Sequence, residues 1–470
     1  MIRTLNDIAG LSVTVMGLGL NGGGLASARF FAEHGAREVI VTDMKTEAEL
    51  APSVQALRKY SNIHFVLGEH RQEDFRTADV VIKNPGVKAE GNPYLAVARR
   101  IETDISIFLQ LTQAPVIAVT GSKGKSSTVS AMYYGLTHSG VPAFLGGNIT
   151  VSPLSFLTET SADTPVVLEL SSWQLGDLAH CPQFKPKIAV LTPIMPDHQN
   201  WYGSMERYVA DKKIIYCNQE KTDYTICNYD DGWGAAFASE TRAQVFWYST
   251  RPLPRHLCGA WVADDGSVRL RLQPDTETTL LPACLNVPGA ILKQNVMTAA
   301  LALTVYGLEP LSLFRTLPAY KGIAHRLEFF HQYGVLKFYN DSAATIPEAV
   351  AAAIQAFDAP VLLLAGGTDK NSDFTPLIPH LHKVSSLFLL AGTATDKLLP
   401  LLHNAGIKYS GPFNSLDDML DALRNSTVCT EEHCIVFSPG AASFGMFKNE
   451  FDRGNRFKAG VVQRWQLPRN

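Results

Sequence analysis

The stretch that decides the fold is Val116-Ile-Ala-Val-Thr-Gly-Ser-Lys-Gly-Lys-Ser-Ser-Thr128. Its first four residues are apolar and mostly β-branched, which is typical of a buried parallel strand. A Gly-Ser-Lys-Gly-Lys-Ser turn follows, and the run from Thr128 to Leu136 is predicted to be a helix. A strand, a glycine turn, Lys-Ser and a helix in this order indicate a phosphate-binding loop, because backbone N–H groups and the helix N-terminus attract phosphate oxygens.

Each part of this loop has a physical task. Gly121 and Gly124 avoid side chains that would displace the phosphates, or allow a positive φ. The Lys125 amine neutralises the outer phosphates, and the Ser126 hydroxyl reaches Mg²⁺. Two residues separate the glycines here, whereas the standard P-loop has four. We predict nucleotide-phosphate contacts for the whole segment, which consists of Gly121, Ser122, Lys123, Gly124, Lys125, Ser126 and Ser127.

Length, composition and charge narrow the class of protein. A chain of 470 residues is too long for one hydrophobic core, so two or three domains are expected. The net charge of −3 provides no basic stripe, and no nucleic-acid partner is expected. The seven cysteines are scattered without a Cys-x-x-Cys pair, which indicates a reducing compartment. Since no apolar run approaches the ~20 residues that span a bilayer, we expect a cytoplasmic protein with no membrane span.

A second glycine-rich turn lies near the N-terminus. Residues 11–19 form a predicted strand that runs into Gly17-x-Gly19-x-x-Gly22, and the next predicted strand ends at Asp43. This spacing is typical of a Rossmann turn that binds a nucleotide pyrophosphate, with the acidic residue on the nucleoside. NAD binding is one interpretation. The pattern does not specify the nucleotide, because Asp43 accepts equally well from a ribose hydroxyl or from the N–H of a uracil ring.

Three further titratable residues are considered as candidate site residues. Glu169 interrupts the apolar run of a predicted buried strand, where a carboxylate costs several kcal/mol unless it is paired or bound to metal. It is therefore a candidate Mg²⁺ ligand, with an ion-paired glutamate as the alternative. His198 follows another strand and is either a site residue or structural. Lys212 lies on a predicted amphipathic helix, where composition alone predicts a solvent-exposed side chain.

Alternating β and α signals divide the chain into three α/β domains. The predicted bounds are 1–103, 104–321 and 322–470. In the first domain a strand ends in Asn84-Pro85-Gly86, a turn with proline and glycine at the positions that type II geometry favours. Residues 240–285 are predicted to be a β-rich excursion, but their pattern does not place the strands.

In order and spacing, these motifs resemble those of the Mur ligases, the ATP-dependent amino-acid ligases of peptidoglycan precursor synthesis. The resemblance covers nearly the whole chain. The motifs that carry it are Thr120–Ser126, Gly146–Ile149, Leu168–Ser172, Asp197-His198, His325-Arg326, Asn340–Ser342 and Ser438–Ser443. It implies a Rossmann-like N-terminal domain that binds a UDP-sugar, a central P-loop ATPase-like domain that binds ATP and Mg²⁺, and a Rossmann-like C-terminal α/β domain for the amino acid and ATP.

The likeness is greatest to the branch that ligates D-glutamate to UDP-N-acetylmuramoyl-L-alanine. It implies an acyl-phosphate intermediate, with ADP and phosphate as the other products. The implied partners are therefore UDP-N-acetylmuramoyl-L-alanine, D-glutamate and ATP, and we expect a monomer. The implied cofactors are two Mg²⁺ ions and a CO₂-derived carbamate on Lys212, whose oxygens would be metal ligands that an amine cannot provide.

The family's site residues can be carried over by position. The resemblance assigns the UDP-sugar to Gly19, Leu20, Asn21, Asp43, Asn84, Gly86, Asn148 and Ser171. It adds Asn295, Arg326 and Asp341 to the residues of the phosphate loop as ATP-binding residues. It assigns the amino acid to Thr345, Lys370, Ser443 and Phe444. The implied catalytic residues are Lys125, Lys212, His198 and Glu169, and the implied metal ligands are Ser126, Glu169, Lys212 and His198.

Three positions depart from the family pattern. Ala343 replaces a lysine that contacts glutamate in many D-glutamate ligases, Glu450 replaces an aromatic residue, and Ile291-Leu292 replaces a His-Asn pair near the adenine contacts. L-glutamate or another amino acid therefore stays open as the substrate. Two other classes also stay open. An NAD-dependent dehydrogenase would leave the second loop unexplained, and a P-loop ATPase would act without a UDP-sugar.

Overall fold

The computed structural model describes residues 2–426 and 434–466. The first sheet contains five parallel strands in the order β3-β2-β1-β4-β5. Its strands are β1 (Ser12–Met16), β2 (Glu38–Asp43), β3 (Ile63–Leu67), β4 (Val80–Lys83) and β5 (Ile101–Glu102), with helices α1 (Gly23–Glu33), α2 (Ala51–Leu57) and α3 (Gln72–Thr77). Strand order reverses between β1 and β4, the place where open α/β sheets bind nucleotides.

The second sheet has nine strands in the order β14-β13-β12-β11-β10-β9-β6-β8-β7. They are β6 (Val116–Thr120), β7 (Phe144–Gly147), β8 (Val166–Glu169), β9 (Ile188–Leu191), β10 (Tyr224–Asn228), β11 (Gln244–Ser249), β12 (Gly259–Val262), β13 (Val268–Arg271) and β14 (Thr278–Leu281). Strands β6 to β12 run parallel to one another, and β13 and β14 add an antiparallel edge. The predicted β-rich character of residues 240–285 is confirmed.

The helices of this part of the chain are α4 (Asp104–Leu111), α5 (Lys125–His138), α6 (Ser172–Asp177), α7 (Gln199–Tyr202), α8 (Met205–Lys213), α9 (Gly234–Glu240), α10 (Gly289–Tyr306) and α11 (Pro310–Thr316). Helix α5 begins at Lys125, three residues earlier than predicted. The reason is that Gly124, with φ of 87°, ends the loop, so the Lys-Ser pair already belongs to the helix.

The third sheet has six strands in the order β15-β16-β20-β17-β18-β19, all parallel except β15. They are β15 (Glu328–Tyr333), β16 (Leu336–Asn340), β17 (Val361–Gly366), β18 (Val384–Leu390), β19 (Ser410–Phe413) and β20 (Cys434–Phe437), with helices α12 (Pro347–Gln355), α13 (Ile378–Leu381), α14 (Thr393–Asn404), α15 (Leu416–Arg424) and α16 (Glu450–Arg464). Short 3₁₀ helices span Leu5–Ile8, Leu95–Val97, Pro153–Ser155, Leu157–Glu159, Ile214–Tyr216, Leu317–Ala319 and Thr375–Leu377.

The chain forms two compact units. The first consists of Met1–Leu281 and Asn295–Thr316, and the second of Pro282–Gln294 and Leu317–Asn470. The first unit contains both the first and the second sheet, and one hydrophobic core cluster includes buried residues of both. The second unit contains the third sheet. The predicted bounds of three domains at 103/104 and 321/322 stay a prediction.

The turn after β4 corrects one expectation. The Val87 N–H donates to the Asn84 carbonyl at 3.0 Å, so the turn is present. Gly86 lacks the positive φ that a type II turn requires, so the type II assignment is wrong. The Asn84 side chain accepts from the Gly86 N–H at 3.1 Å, and this local hydrogen bond stabilises the alternative geometry.

Two further sequence expectations concern the whole chain. None of the helices in the described residues is long and apolar enough to cross a lipid bilayer. The cysteines of the described residues are free thiols, and Cys429 lies outside those residues.

Candidate active site

The glycines of the phosphate loop are required by their surroundings. Gly121 has φ of 148° and Gly124 has φ of 87°. A Cβ at Gly121 would lie 1.9 Å from the Thr192 hydroxyl oxygen, and one at Gly124 would lie 2.5 Å from Asn295 Oδ1. Alanine would therefore collide at both positions. The second contact also places the buried Asn295, a predicted nucleotide residue, directly against the loop.

Two lysine amines converge on one carbonyl oxygen of this loop. Lys125 Nζ donates to Gly121 O at 2.9 Å and to Ser122 O at 3.2 Å. Lys212 Nζ, from α8, also donates to Gly121 O at 2.9 Å. Two amines this close disfavour each other's charged forms. This arrangement concentrates positive charge at the predicted phosphate loop.

Lys212 is buried, with 1 % of its surface exposed, so the composition-based prediction of an exposed side chain is wrong. Burial lowers the pKa of Lys212 to about 7, and the Lys125 ammonium lowers it too, whereas Asp197 and Asp211 oppose the shift. Burial likewise lowers the pKa of Lys125, against the attraction of Glu169 and Asp197. A substantial fraction of Lys212 is therefore a neutral, nucleophilic amine near neutral pH.

Tyr208 is a part of the site that the sequence analysis missed. Its ring centroid lies 4.4 Å from Lys212 Nζ, and its hydroxyl lies 3.0 Å from Ser122 Oγ. The Ser122 hydroxyl also donates to Met195 O at 2.9 Å. Tyr208 lies one helical turn before Lys212 on α8, so a search at i−4 from that lysine would have found it. Tyr208 thus braces the phosphate loop and covers the Lys212 amine.

Glu169 combines burial with an unused oxygen. It lies at the end of β8 with 2 % of its surface exposed. Its Oε1 accepts from Asn148 Nδ2 at 3.1 Å, while Oε2 has no hydrogen-bond partner among the described residues. Because a buried unpartnered carboxylate oxygen is costly, the atom fits a cation ligand. Within the described residues, no three His, Cys, Asp or Glu side chains form a metal cluster by themselves, so other ligands would have to complete it.

His198 lies in the loop that follows β9. Its φ is 51°, its side chain is 44 % exposed, and its Nε2 lies 3.9 Å from Asp197 Oδ2. The imidazole ring packs against Trp173 with centroids 5.0 Å apart. The imidazole of His198 is therefore partly exposed and lies beside a carboxylate.

The predicted UDP-sugar residues of the first sheet lie at the carboxyl ends of β1, β2 and β4. Asp43 accepts from the Gly19 N–H at 3.0 Å and from the Lys45 N–H at 3.0 Å. Asn84 Nδ2 approaches Gly17 O at 3.4 Å. The first sheet thus brings Gly19, Asp43 and Asn84 to one edge, while Leu20 and Asn21 are exposed. In the second sheet, the Ser171 hydroxyl accepts from the Gln174 N–H and caps α6.

In the second unit, Asp341 is buried at the end of β16. Its Oδ2 accepts from the Ser438 hydroxyl at 2.7 Å, and its Oδ1 accepts from the Leu327 N–H at 3.1 Å. Burial raises the pKa of Asp341 to about 7, although both hydrogen bonds and the neighbouring Arg326 charge oppose the rise. Arg326 itself is exposed.

A cleft of about 310 Å³ lies at the carboxyl ends of β17, β18 and β20. Ser443 and Phe444 line it together with Arg453, Gly367 and Gly392. The Arg453 guanidinium is buried and donates to the Ser342 and Ala441 carbonyls at 2.8 and 2.9 Å. The predicted amino-acid residues are thus only partly brought together. Lys370 Nζ lies 5.9 Å from the Phe444 ring centroid, and Thr345 is not among the cleft-lining residues.

Two family models match the chain, the Mur ligase middle domain at residues 119–303 and the MurD-like N-terminal domain of Mur ligases at residues 11–107. A UDP-N-acetylmuramoylalanine–D-glutamate ligase from Treponema pallidum is 47% identical over 97% of this chain and 98% of the relative. A protein of the same name from Borreliella burgdorferi is 38% identical over the same shares of both chains. The chain belongs to the Mur ligase family.

Solved structures support the fold of this Mur ligase. MurF from Acinetobacter baumannii matches with a TM-score of 0.58 at 15% identity, covering 96% of this chain and 94% of that one. MurC from Thermotoga maritima matches with a TM-score of 0.56 at 18% identity, covering 97% and 99%. The predicted fold class of three α/β domains is thereby confirmed.

The buried carboxyl of Asp341 gives a stability prediction. Its pKa in the folded state lies above its ordinary value of 3.8, so between about pH 4 and pH 7 the folded state binds more protons than the unfolded state. The free energy of unfolding should therefore fall as pH rises through this range. Asp341→Asn keeps the side-chain shape without the charge, and it should lose less stability than the parent between pH 5 and 8 in urea denaturation.

Asp358→Asn, at an exposed aspartate of the same unit, is the matched control and should follow the pH profile of the parent. Superimposable profiles for the parent and Asp341→Asn would contradict the assigned pKa.

Proposed function

We propose that this Mur ligase joins D-glutamate to UDP-N-acetylmuramoyl-L-alanine in peptidoglycan precursor synthesis and converts ATP to ADP and phosphate. The names of relatives that are 47% and 38% identical over nearly the whole chain support this substrate pair. The observation that carries the chemistry is that the amines of partly buried Lys125 and buried Lys212 both donate to the Gly121 carbonyl. Family membership favours this ligation over the dehydrogenase and the P-loop ATPase.

The proposed reaction has two steps. An oxygen of the acceptor's terminal carboxylate first forms a bond to the γ-phosphorus of ATP, and the bond to ADP breaks. The D-glutamate nitrogen then attacks the acyl carbon and loses a proton, and phosphate leaves with one of the original carboxylate oxygens. The first step brings two anions together, so its barrier is mainly electrostatic. Lys125, the loop N–H groups and the N-terminus of α5 would neutralise that charge.

Ser126, Glu169, His198 and a modified Lys212 would hold two Mg²⁺ ions together with ATP phosphates. The unpartnered Oε2 of buried Glu169 supports this assignment, because it provides a cation ligand with no competing donor. Bound Mg²⁺ would neutralise phosphate charge and polarise the reacting phosphorus–oxygen bonds. Asn148 would keep Glu169 oriented through its hydrogen bond to Oε1.

We also propose that Lys212 carries a carbamate. Only a neutral amine attacks CO₂, and burial supplies one by lowering the pKa of Lys212 to about 7. The carbamate would convert a donor on the Gly121 carbonyl into an anion with two oxygen ligands. Tyr208, which lies over the amine, would limit access of water to it.

The remaining assignments follow the family by position. We propose that Gly19, Leu20, Asn21, Asp43, Asn84, Gly86, Asn148 and Ser171 bind the UDP-sugar. Asn295, Arg326 and Asp341 would bind ATP together with the loop, and Thr345, Lys370, Ser443 and Phe444 would bind D-glutamate. Free thiols and nucleotide substrates support a cytoplasmic enzyme, and we propose that it acts as a monomer.

Phosphate release tests the proposed function. With ATP, Mg²⁺ and UDP-N-acetylmuramoyl-L-alanine, we expect release that depends on D-glutamate and is absent with L-glutamate. Lys125→Ala should lower turnover at least ~100-fold, because it removes a cation that acts on the transferring phosphate. Lys185→Ala, at an exposed lysine, is the control and should retain full turnover. Release without acceptor would point to an ATPase, and release with L-glutamate would change the amino acid.

The carbamate has its own test. Lys212→Ala should be nearly inactive, because no metal-binding oxygens remain at that position, and acetate or formate should restore part of the activity by filling the space. Carbon-13 NMR of protein equilibrated with labelled CO₂ should show a carbamate signal that is missing from the variant. An active Lys212→Ala variant, or the same signal in the variant, would refute the modification.

A further inference from the structure

Lys83, the last residue of β4, has a buried amine that the proposed reaction does not use. The side chain is 3 % exposed, and its Nζ donates to the carbonyls of Asn84 at 3.3 Å and Val87 at 2.9 Å. The same Nζ lies 2.7 Å from Asp177 Oδ2. A lysine is almost never buried to this extent unless it is paired. The amine therefore lies beneath the turn Asn84–Val87 and joins it to a residue of the second sheet's domain.

Its partner Asp177 is the last residue of α6 and is 17 % exposed. A carboxylate at a helix C-terminus opposes the partial negative charge there, so α6 itself does not favour this residue. Burial raises the pKa of Asp177 to about 6, and the nearby Asp104 and Asp211 carboxylates raise it too, while Lys83 lowers it. Lys83 is thus a cation that lowers the pKa of Asp177 against burial and two neighbouring carboxylates.

Helix α6 continues the connection to α8. A Cβ at Gly176 would lie 2.9 Å from Asp211 Oδ2, so the two helices pack in close contact at this glycine. The Tyr202 hydroxyl holds the same Oδ2 at 2.8 Å. Asp211 directly precedes Lys212 on α8. A continuous series of contacts therefore runs from the Asn84–Val87 turn through Lys83, Asp177 and Gly176 to the helix that carries Lys212.

This series forms one wall of a cleft of about 390 Å³ in the first unit. Pro85 and Val87 of the turn line the cleft, together with Lys83, Asp177 and Asp211. The turn that would bind the acceptor and the helix that would bind the metal therefore face the same space. A shift of about 1 Å between reacting groups costs on the order of 100-fold in rate.

We propose that Lys83 is a positioning residue that, through Asp177, holds the acceptor-binding turn Asn84–Val87 at a fixed place relative to α6 and Lys212. This inference rests on the proposed function, because it assumes that the turn binds the UDP-linked acceptor. Replacing a buried ion pair by uncharged side chains often leaves stability intact, whereas removing one partner strands a charge. The pair is therefore retained here for geometry.

The test compares Lys83→Met, Asp177→Asn and the double variant Lys83→Met/Asp177→Asn in the full chain. Kinetic constants are measured for acceptor, ATP and D-glutamate, and thermal unfolding is followed in parallel. Lys83→Met should lower kcat/KM for UDP-N-acetylmuramoyl-L-alanine about 10- to 100-fold. The KM values for ATP and D-glutamate should change by less than about twofold, because the phosphate loop is braced separately by Met195 and Tyr208.

The double variant separates positioning from stability. It strands no charge, so it should unfold near the parent temperature and still show the acceptor defect of Lys83→Met. If Lys83→Met fails to fold, the acceptor kinetics of the double variant alone test the inference. Asp177→Asn retains an acceptor for the Lys83 amine. Its loss of kcat/KM for the acceptor substrate should therefore be smaller than that of Lys83→Met or of the double variant.

Lys185→Met, at an exposed lysine paired with Glu220, is the matched control and should behave as the parent. Parent-like acceptor kinetics in the stably folded double variant would overturn the inference while leaving the proposed function intact. A parent protein that releases no phosphate with acceptor and D-glutamate would overturn the proposed function, and the inference would fall with it. An equal rise in the KM values of all three substrates would also overturn the inference, since that result indicates a general structural role.

Discussion

The carbonyl oxygen of Gly121 accepts hydrogen bonds from two lysine amines, that of buried Lys212 and that of partly buried Lys125, and the rest of the site depends on this contact. Two ammonium groups at such separation repel each other, so the arrangement is stable only with one amine partly neutral or with anions nearby. Glu169 and Asp197 partly supply the negative charge. ATP phosphates would supply the remainder. The contact therefore concentrates positive charge on the loop, and the Lys125 charge adds to burial in lowering the pKa of Lys212.

The fold makes this contact possible. Strand β6 lies inside the second sheet between β8 and β9, so the loop after it is flanked by Glu169 on one side and by the His198 loop on the other. The first sheet shares a hydrophobic core cluster with the second, and the ion pair between Lys83 and Asp177 joins their site-forming ends. In the proposed reaction, the acceptor and the ATP phosphates would thus bind to the first unit, whereas Arg326 and Asp341, which are also proposed for ATP, belong to the second unit. The amino acid would bind residues of the second unit.

Much of this organisation could be predicted from the sequence, because local chemistry determined it. The glycine turns, Glu169 at its strand end and the three α/β regions follow from patterns that extend over a few residues. Lys212 could not be predicted from composition, since a lysine on an amphipathic helix is usually exposed, and only tertiary packing against Tyr208 and the loop buries it. The resemblance to a known family singled it out. The type II assignment at Asn84-Pro85-Gly86 failed for a related reason, since the Asn84 side chain selects another geometry. Strands β11 to β14 lacked a periodic pattern that would have placed them, and the buried Lys83 gave no local signal at all.

The central claim is that the two lysines and the phosphate loop act on an acceptor carboxylate that becomes phosphorylated. The most direct measurement uses UDP-N-acetylmuramoyl-L-alanine with oxygen-18 in its terminal carboxylate, turned over with ATP and D-glutamate. Mass spectrometry of the released phosphate then follows the label. The account predicts one labelled oxygen in each phosphate, because the acyl oxygen leaves with it. If ligated product forms while the released phosphate carries no oxygen-18, the account is contradicted.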